Sequence, residues 1–142
     1  MPEEQGPAEI LVIEDNLDDQ EMLLHQLKKA NVQERVLCVE DGTDALHLLQ
    51  DGARKLSAVC AVFLDLSLPG VNGLMLLQAI RSNVETALLP VFIMTGSTNP
   101  KDEAECRRLG VSNFIPKGQI SLSSFRSTLS DIFHPPAPAS EK

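Results

Sequence analysis

Ala58-Val59-Cys60-Ala61-Val62-Phe63-Leu64-Asp65-Leu66-Ser67-Leu68-Pro69-Gly70-Val71-Asn72-Gly73 is the stretch that decides the fold. Its first half, Ala58 to Leu64, is apolar without interruption. A run of that kind fits a strand covered on both faces, as in a parallel sheet, and not the alternating strand of a half-solvated antiparallel one. The run stops at a carboxylate, Asp65, and Leu66–Gly73 then reads as a loop through Pro69, Gly70 and Gly73.

Working outward, the same alternation repeats on both sides. Downstream, Leu74–Ile80 begins a helix, and Pro90 precedes a strand at Val91–Met94. Asn99 as N-cap and Pro100 at the first helical position open a helix over Lys101–Leu109. Phe114–Ile115 is a short strand, and Ser121–Phe133 a last helix with Leu122, Phe125, Leu129, Ile132 and Phe133 on one face. Upstream, Ile10–Ile13 is a strand. Leu17–Ala30 has helical spacing, with an acidic first turn and Lys28-Lys29 in the last. Val36–Val39 is a strand, and the residues after Asp41-Gly42-Thr43 a short helix. Five strands alternating with five helices predict an α/β fold, a doubly wound parallel sheet with helices on both sides. Proline has no backbone donor, so Pro116 puts the fifth strand at an edge or strand end, which the order 2-1-3-4-5 satisfies. Residues 1–8 read as a loose lead-in, 9–133 as one domain, and 134–142, rich in proline, as a tail outside it.

Composition narrows the function. The chain has 142 residues, enough for one domain, and 43% are hydrophobic, enough for a core. With no Trp and no Tyr, that core is aliphatic. A net charge of -8 repels phosphate backbones and disfavours direct nucleic-acid binding. Cys38, Cys60 and Cys106 show no zinc-type spacing; Cys38 and Cys60 lie in apolar runs and read as small core residues of a protein in a reducing compartment. The N-terminus lacks an apolar signal core and the longest apolar stretch is broken by Asp65, so no membrane span is expected and the cytoplasm is the default location. Met22, Met75 and Met94 read as packing residues, and His25, His47 and His134 show no ligand pattern.

In open parallel sheets ligands bind beyond the carboxyl ends of the strands. There stand Glu14-Asp15 after the first strand, Asp65 after the third, Thr95 after the fourth and Lys117 after the fifth, while Glu40-Asp41 belongs to the far edge. A single acid after a strand is commonly a helix cap. Carboxylates, a hydroxyl and an ammonium converging from four segments are not explained that way. Carboxylates held together repel one another, and a hard cation such as Mg²⁺ relieves the repulsion with only a few protein oxygens. Asp15 and Asp65 suit direct ligation and Glu14 ligation through water. Asp65 could then act as nucleophile towards a phosphoryl group, with Lys117 as a point charge on its oxygens and Thr95 as a donor.

Ile10-Leu11-Val12-Ile13-Glu14-Asp15-Asn16, Phe63 to Gly73, Phe92-Ile93-Met94-Thr95-Gly96 and Phe114-Ile115-Pro116-Lys117 together resemble the response-regulator receiver domains of two-component signalling. The resemblance runs from about residue 9 to 133, with four motifs in order. It implies a flavodoxin-like receiver fold. It implies phosphoryl transfer to Asp65 from a histidine kinase or phosphotransfer protein. It implies a Mg²⁺ site of Glu14, Asp15, Asp65 and the Ser67 carbonyl, a switch pair of Thr95 and Phe114, and a phosphate-contacting Lys117. Output would pass to a downstream protein or a second copy, through the face of the fourth helix, fifth strand and fifth helix. With no room after Phe133 for a DNA-binding domain, output is expected by protein contact or phosphate relay. The long Ser82–Leu89 connection resembles the branch of phytochrome-partner regulators.

The chain departs from the family pattern at Gly118, where proline usually follows the lysine, often through a cis bond. A cis bond without proline costs about 3 kcal/mol, which bears on the placement of Lys117. Phe114 lacks the hydroxyl of the usual tyrosine and can only swing and pack. Ser67 and Ser97 occupy positions that tune hydrolysis in the family. A phosphatase of the haloacid dehalogenase type also uses a strand-end aspartate, but wants a second aspartate two positions on, where Ser67 stands. A receiver-like interaction module that takes no phosphate is the other alternative.

Overall fold

The computed structural model of the protein describes residues 9–29, 35–50, 59–66, 71–95, 100–111 and 113–116. Its elements follow in chain order: β1 (Glu9–Ile13), α1 (Leu17–Lys29), β2 (Arg35–Val39), α2 (Gly42–Gln50), β3 (Val59–Asp65), α3 (Gly73–Ser82), β4 (Val91–Thr95), α4 (Pro100–Arg108) and β5 (Asn113–Pro116). The strands form one parallel sheet in the order β2-β1-β3-β4-β5, as the alternation and Pro116 predict, with β5 at an edge. The expected helix over Ser121–Phe133 and the expected lead-in and tail lie outside the described residues.

Side chains alternate across a strand, so consecutive residues of β1 feed two different cores. Ile10 and Val12, with Ala61, Phe63, Phe92, Met94 and Ile115, face Leu23 and Leu27 of α1. Leu11 and Ile13, with Val62, Leu64, Val91 and Ile93, face residues of α2, α3 and α4. That is the physical reason the third strand has no polar residue before Asp65: both of its faces are covered. Phe63 and Phe92, register partners on adjacent strands, stack with ring centroids 4.8 Å apart. Burying one large side chain of this sort is worth about 2–3 kcal/mol. At the start of the sheet, Glu9 pairs with Val59 and Ile10 with Ala61, so Cys60 is the extra residue of a bulge. Its thiol donates to the Glu9 carbonyl at 3.3 Å.

Two expectations are corrected by the packing. Met22 and Met75 lie on outer helix faces, 42% and 54% exposed, and of the three Met94 alone is in the core. Cys38 and Cys60 are half-buried at the margin of the α1-side core, whereas Cys106 is the fully buried cysteine. Gly42 is the first residue of α2 and buried. A methyl there would meet the Val71 carbonyl oxygen at 2.8 Å, so the glycine lets α2 approach the chain that leads into α3.

Candidate functional site

The connection from β1 runs to β2 on one side, while its other neighbour is β3, so the chain reverses direction across the sheet between β1 and β3. Ile13 and Leu64 are the last register partners of that pair, and the next residues on each strand path are Glu14 and Asp65. Both are fully buried. Carboxylate oxygens of Glu14, Asp15 and Asp65 lie within 4.8 Å of one another, with Asp15 exposed. Like charges at that distance repel by about 3 kcal/mol per pair even at an effective dielectric constant of about 20. The donor set is hard oxygen, negatively charged and open to solvent at Asp15, which fits a hard divalent cation and not a soft one.

Local bonding explains why these acids point where they do. The Glu14 amide donates to the Val39 carbonyl at 3.0 Å, extending the β1–β2 ladder past its last pair. The Asn16 amide donates to Glu14 Oε2 at 3.0 Å. Asn16 in turn caps α1, its Oδ1 accepting from the Asp19 amide at 2.9 Å. Gln20 is buried on the inner face of α1, and its Nε2 donates to the Glu14 carbonyl at 2.6 Å. The sequence reading missed Gln20; its one signal is a polar residue at i−3 from Leu23 on an otherwise apolar stripe. Asp41 shows what an ordinary strand-end acid does: its Oδ1 accepts from the amides of Thr43 at 2.6 Å and Asp44 at 3.3 Å, as a cap of α2. Among the described residues Asp41 does not join the acidic group.

On the β3 side, Asp65 pairs with Met94, and Thr95, nearly buried, is the next residue of β4. The Leu66 amide reaches the Met94 carbonyl at 3.4 Å. α3 begins hard against this point. Asn72 caps it, accepting from the Leu74 amide at 2.7 Å, and a methyl on Gly73 would meet Leu66 Cα at 2.5 Å and the Asp65 carbonyl oxygen at 3.0 Å. Phe114, in β5, is half-buried and packs against the core that α2, α3 and α4 cover. Of the residues expected at the site, Glu14, Asp15 and Asp65 are therefore brought together, and Thr95 and Phe114 lie on the neighbouring strands. Ser67 and Lys117 fall outside the described residues, as do Ser97 and Gly118. A separate cleft of about 570 Å³, lined by Arg81, Leu88, Pro90, Arg108 and Gly110 among others, opens near the start of β4. No acidic residue of the cluster lines it. No described helix is long and apolar enough to cross a membrane.

Residues 10–127 match the family model described as the response regulator receiver domain. The transcriptional regulatory protein TctD of Salmonella typhimurium is 34% identical over 110 residues, covering 76% of this chain and 44% of the relative. The chain thus spans less than half the length of that relative. Response regulator Rcp1 of Synechocystis is 27% identical over 126 residues, covering 87% of this chain and 86% of the relative. The solved structure of the bacteriophytochrome response regulator RtBRR matches with a TM-score of 0.75 at 31% identity, covering 95% of this chain and 83% of that one.

Proposed function

Since this chain belongs to the response regulator receiver domain family, we propose that it is a phosphorylatable switch, built over residues 9–133, whose acceptor is Asp65. The observation that carries the reading is the buried Asp65 carboxylate at the end of β3, grouped with Glu14 and Asp15. An Asp65 oxygen attacks the phosphorus of a phosphohistidine on a histidine kinase or phosphotransfer protein. A P–O bond forms, the P–N bond breaks, and the leaving imidazole takes a proton from solvent. Glu14, Asp15, Asp65 and the Ser67 carbonyl would hold Mg²⁺, which supplies charge neutralisation for the phosphoryl oxygens. Lys117 pairs with one of those oxygens and the Thr95 hydroxyl donates to another. Fold and family support a signalling switch and not a turnover enzyme.

Output follows from Thr95. Drawn towards the new acceptor, it vacates space that Phe114 can enter, and the face made by α4, β5 and the segment after it changes shape. A downstream protein, or a second copy of this chain, reads that face from the cytoplasm, without nucleic-acid contact. Treatment with acetyl phosphate and Mg²⁺, followed by intact-mass measurement, tests the reading. Wild type should gain one phosphoryl group and Asp65→Asn none, while its fold is kept because the amide preserves shape. Phosphorylation of the Asn variant to a normal extent would remove Asp65 from the role. A wild type that gains nothing would favour an interaction module that takes no phosphate.

A further inference from the structure

The helix that the switch would move places a single side chain in the core. α4 reads Pro-Lys-Asp-Glu-Ala-Glu-Cys-Arg-Arg, and Cys106 is its one buried residue. Two ion pairs lie within the helix, Arg107 with Glu103 at 2.8 Å and Arg108 with Glu105 at 2.5 Å. The first pair also touches the sheet, through Arg107. The Arg107 guanidinium carbon sits 4.9 Å from the centroid of the Phe114 ring. Glu103 Oε2 accepts from both Nε and Nη2 of the same guanidinium, at 3.2 and 2.8 Å, which restricts its plane.

We infer that Arg107 is a positioning residue for Phe114: its guanidinium, stacked on the ring and braced by Glu103, holds the ring in the unphosphorylated arrangement. The inference rests on the reading of Thr95 and Phe114 as the switch pair. A tyrosine at this place could be steered by its hydroxyl. Phenylalanine has no hydroxyl, and a cation over the negative face of its ring is a directional interaction open to it. Turning inward takes the ring away from the guanidinium, so the stack exists in one state and not the other. An interaction present in only one of two states shifts their populations by its full worth. At a partly exposed site that amounts to about two- to fivefold in the ratio of the two ring positions. Glu103, Arg107 and Phe114 thereby form a latch between α4 and β5.

The test uses the full-length protein labelled with fluorophenylalanine, with the Phe114 resonance assigned through Phe114→Leu. Arg107→Ala should move that resonance towards its position in the protein bound to beryllofluoride and Mg²⁺. It should raise the rate of phosphorylation by acetyl phosphate about two- to fivefold. Arg107→Lys, which keeps a cation, should stay near wild type. In a Phe114→Leu background Arg107→Ala should change the rate no further, a result that a merely structural arginine would not give. An unmoved Phe114 resonance in Arg107→Ala overturns the latch, whether or not the protein takes phosphate. A wild type that takes no phosphate, with the resonance nonetheless displaced in Arg107→Ala, overturns the phospho-acceptor reading and leaves the ring contact standing.

Discussion

No methyl group fits between the start of α3 and the end of β3. At Gly73 it would sit 2.5 Å from Leu66 Cα, a backbone atom that cannot rotate away. At the first position of α3 helix propensity favours Gly73→Ala by less than the about 1 kcal/mol of a helix interior; the clash decides the sign, and we expect a net loss of about 1–3 kcal/mol in urea unfolding. Because the displaced atoms belong to Asp65 and Leu66, the same variant should also slow phosphorylation. Cys106 makes a different kind of prediction. Desolvation, reinforced by Asp102, Glu105 and Glu103, pushes its thiol from 9.0 up to about 11. The folded state therefore keeps the proton over a range where the unfolded thiol loses it, and stability falls as pH rises from about 9 to about 11. The loss should be on the order of 1–3 kcal/mol. With no Tyr in the chain, tyrosine does not mask this window. Cys106→Ala should start less stable, by a cavity cost of about 1–2 kcal/mol, and show a flatter profile above pH 9 in thermal melts. An unchanged slope would exclude Cys106 as its source.

Elements, in this protein, are ended and joined by side chains that periodicity does not reveal. α4 stops in a left-handed glycine, Gly110, with φ 76°. The Val111 amide reaches back to the Cys106 carbonyl at 3.3 Å and the Gly110 amide to that of Arg107 at 3.0 Å. That ending was legible, since glycine after a run ending in Arg-Arg-Leu is a stop signal. The role of Arg81 was not. Its guanidinium donates to the carbonyls of Leu109 at 2.7 Å, Ala87 at 3.1 Å, Leu89 at 2.7 Å and Gly110 at 3.0 Å. It so fixes the end of α3, the entry to β4 and the end of α4 at one point. Nothing local distinguishes it from any arginine in the last turn of a helix, because its partners are carbonyls 6 to 29 positions away. The Asn83 side chain does the same for α2, donating to the Leu49 carbonyl at 2.5 Å. Arg81→Ala should cost about 2–4 kcal/mol by denaturant midpoint and speed amide exchange at Leu109–Val111 before the sheet is affected. Arg81→Lys should recover only a minor part, since an ammonium cannot span four carbonyls. Full recovery by lysine would mean that charge, and not the fork, is what matters there.

Across the whole molecule the sheet order was readable because two constraints acted together: continuous apolar strands require cover on both faces, and Pro116 requires an edge. The acidic group was readable for a related reason. Parallel topology brings all strand ends to one side, so acids scattered at positions 14, 15 and 65 are forced into one group. What sequence could not separate was which strand-end acids are caps, and Asp41 turned out to be one through bonds to its own helix. The acidic group also sets a tension between function and stability, and this yields a prediction for the molecule as a unit. Glu14 and Asp65 are buried beside Asp15, so their mutual repulsion falls on the folded state and is largely absent from the extended chain. Removing one charge should relieve it. Asp15 is the exposed member, so its truncation leaves no cavity. We therefore expect Asp15→Ala, without divalent cations, to be as stable as wild type or more so, by up to about 2 kcal/mol. A cation that binds only the folded state stabilises it by mass action, about 1.4 kcal/mol at ten times its dissociation constant. In a protein of this size that raises the melting temperature by about 3–6 °C. Wild type should show that rise as Mg²⁺ is added, and Asp15→Ala should show little of it, so the two melting curves converge or cross. Parallel rises in both proteins would mean that Asp15 is not a ligand, and a lower stability of Asp15→Ala in chelator would mean that the carboxylates are not in conflict.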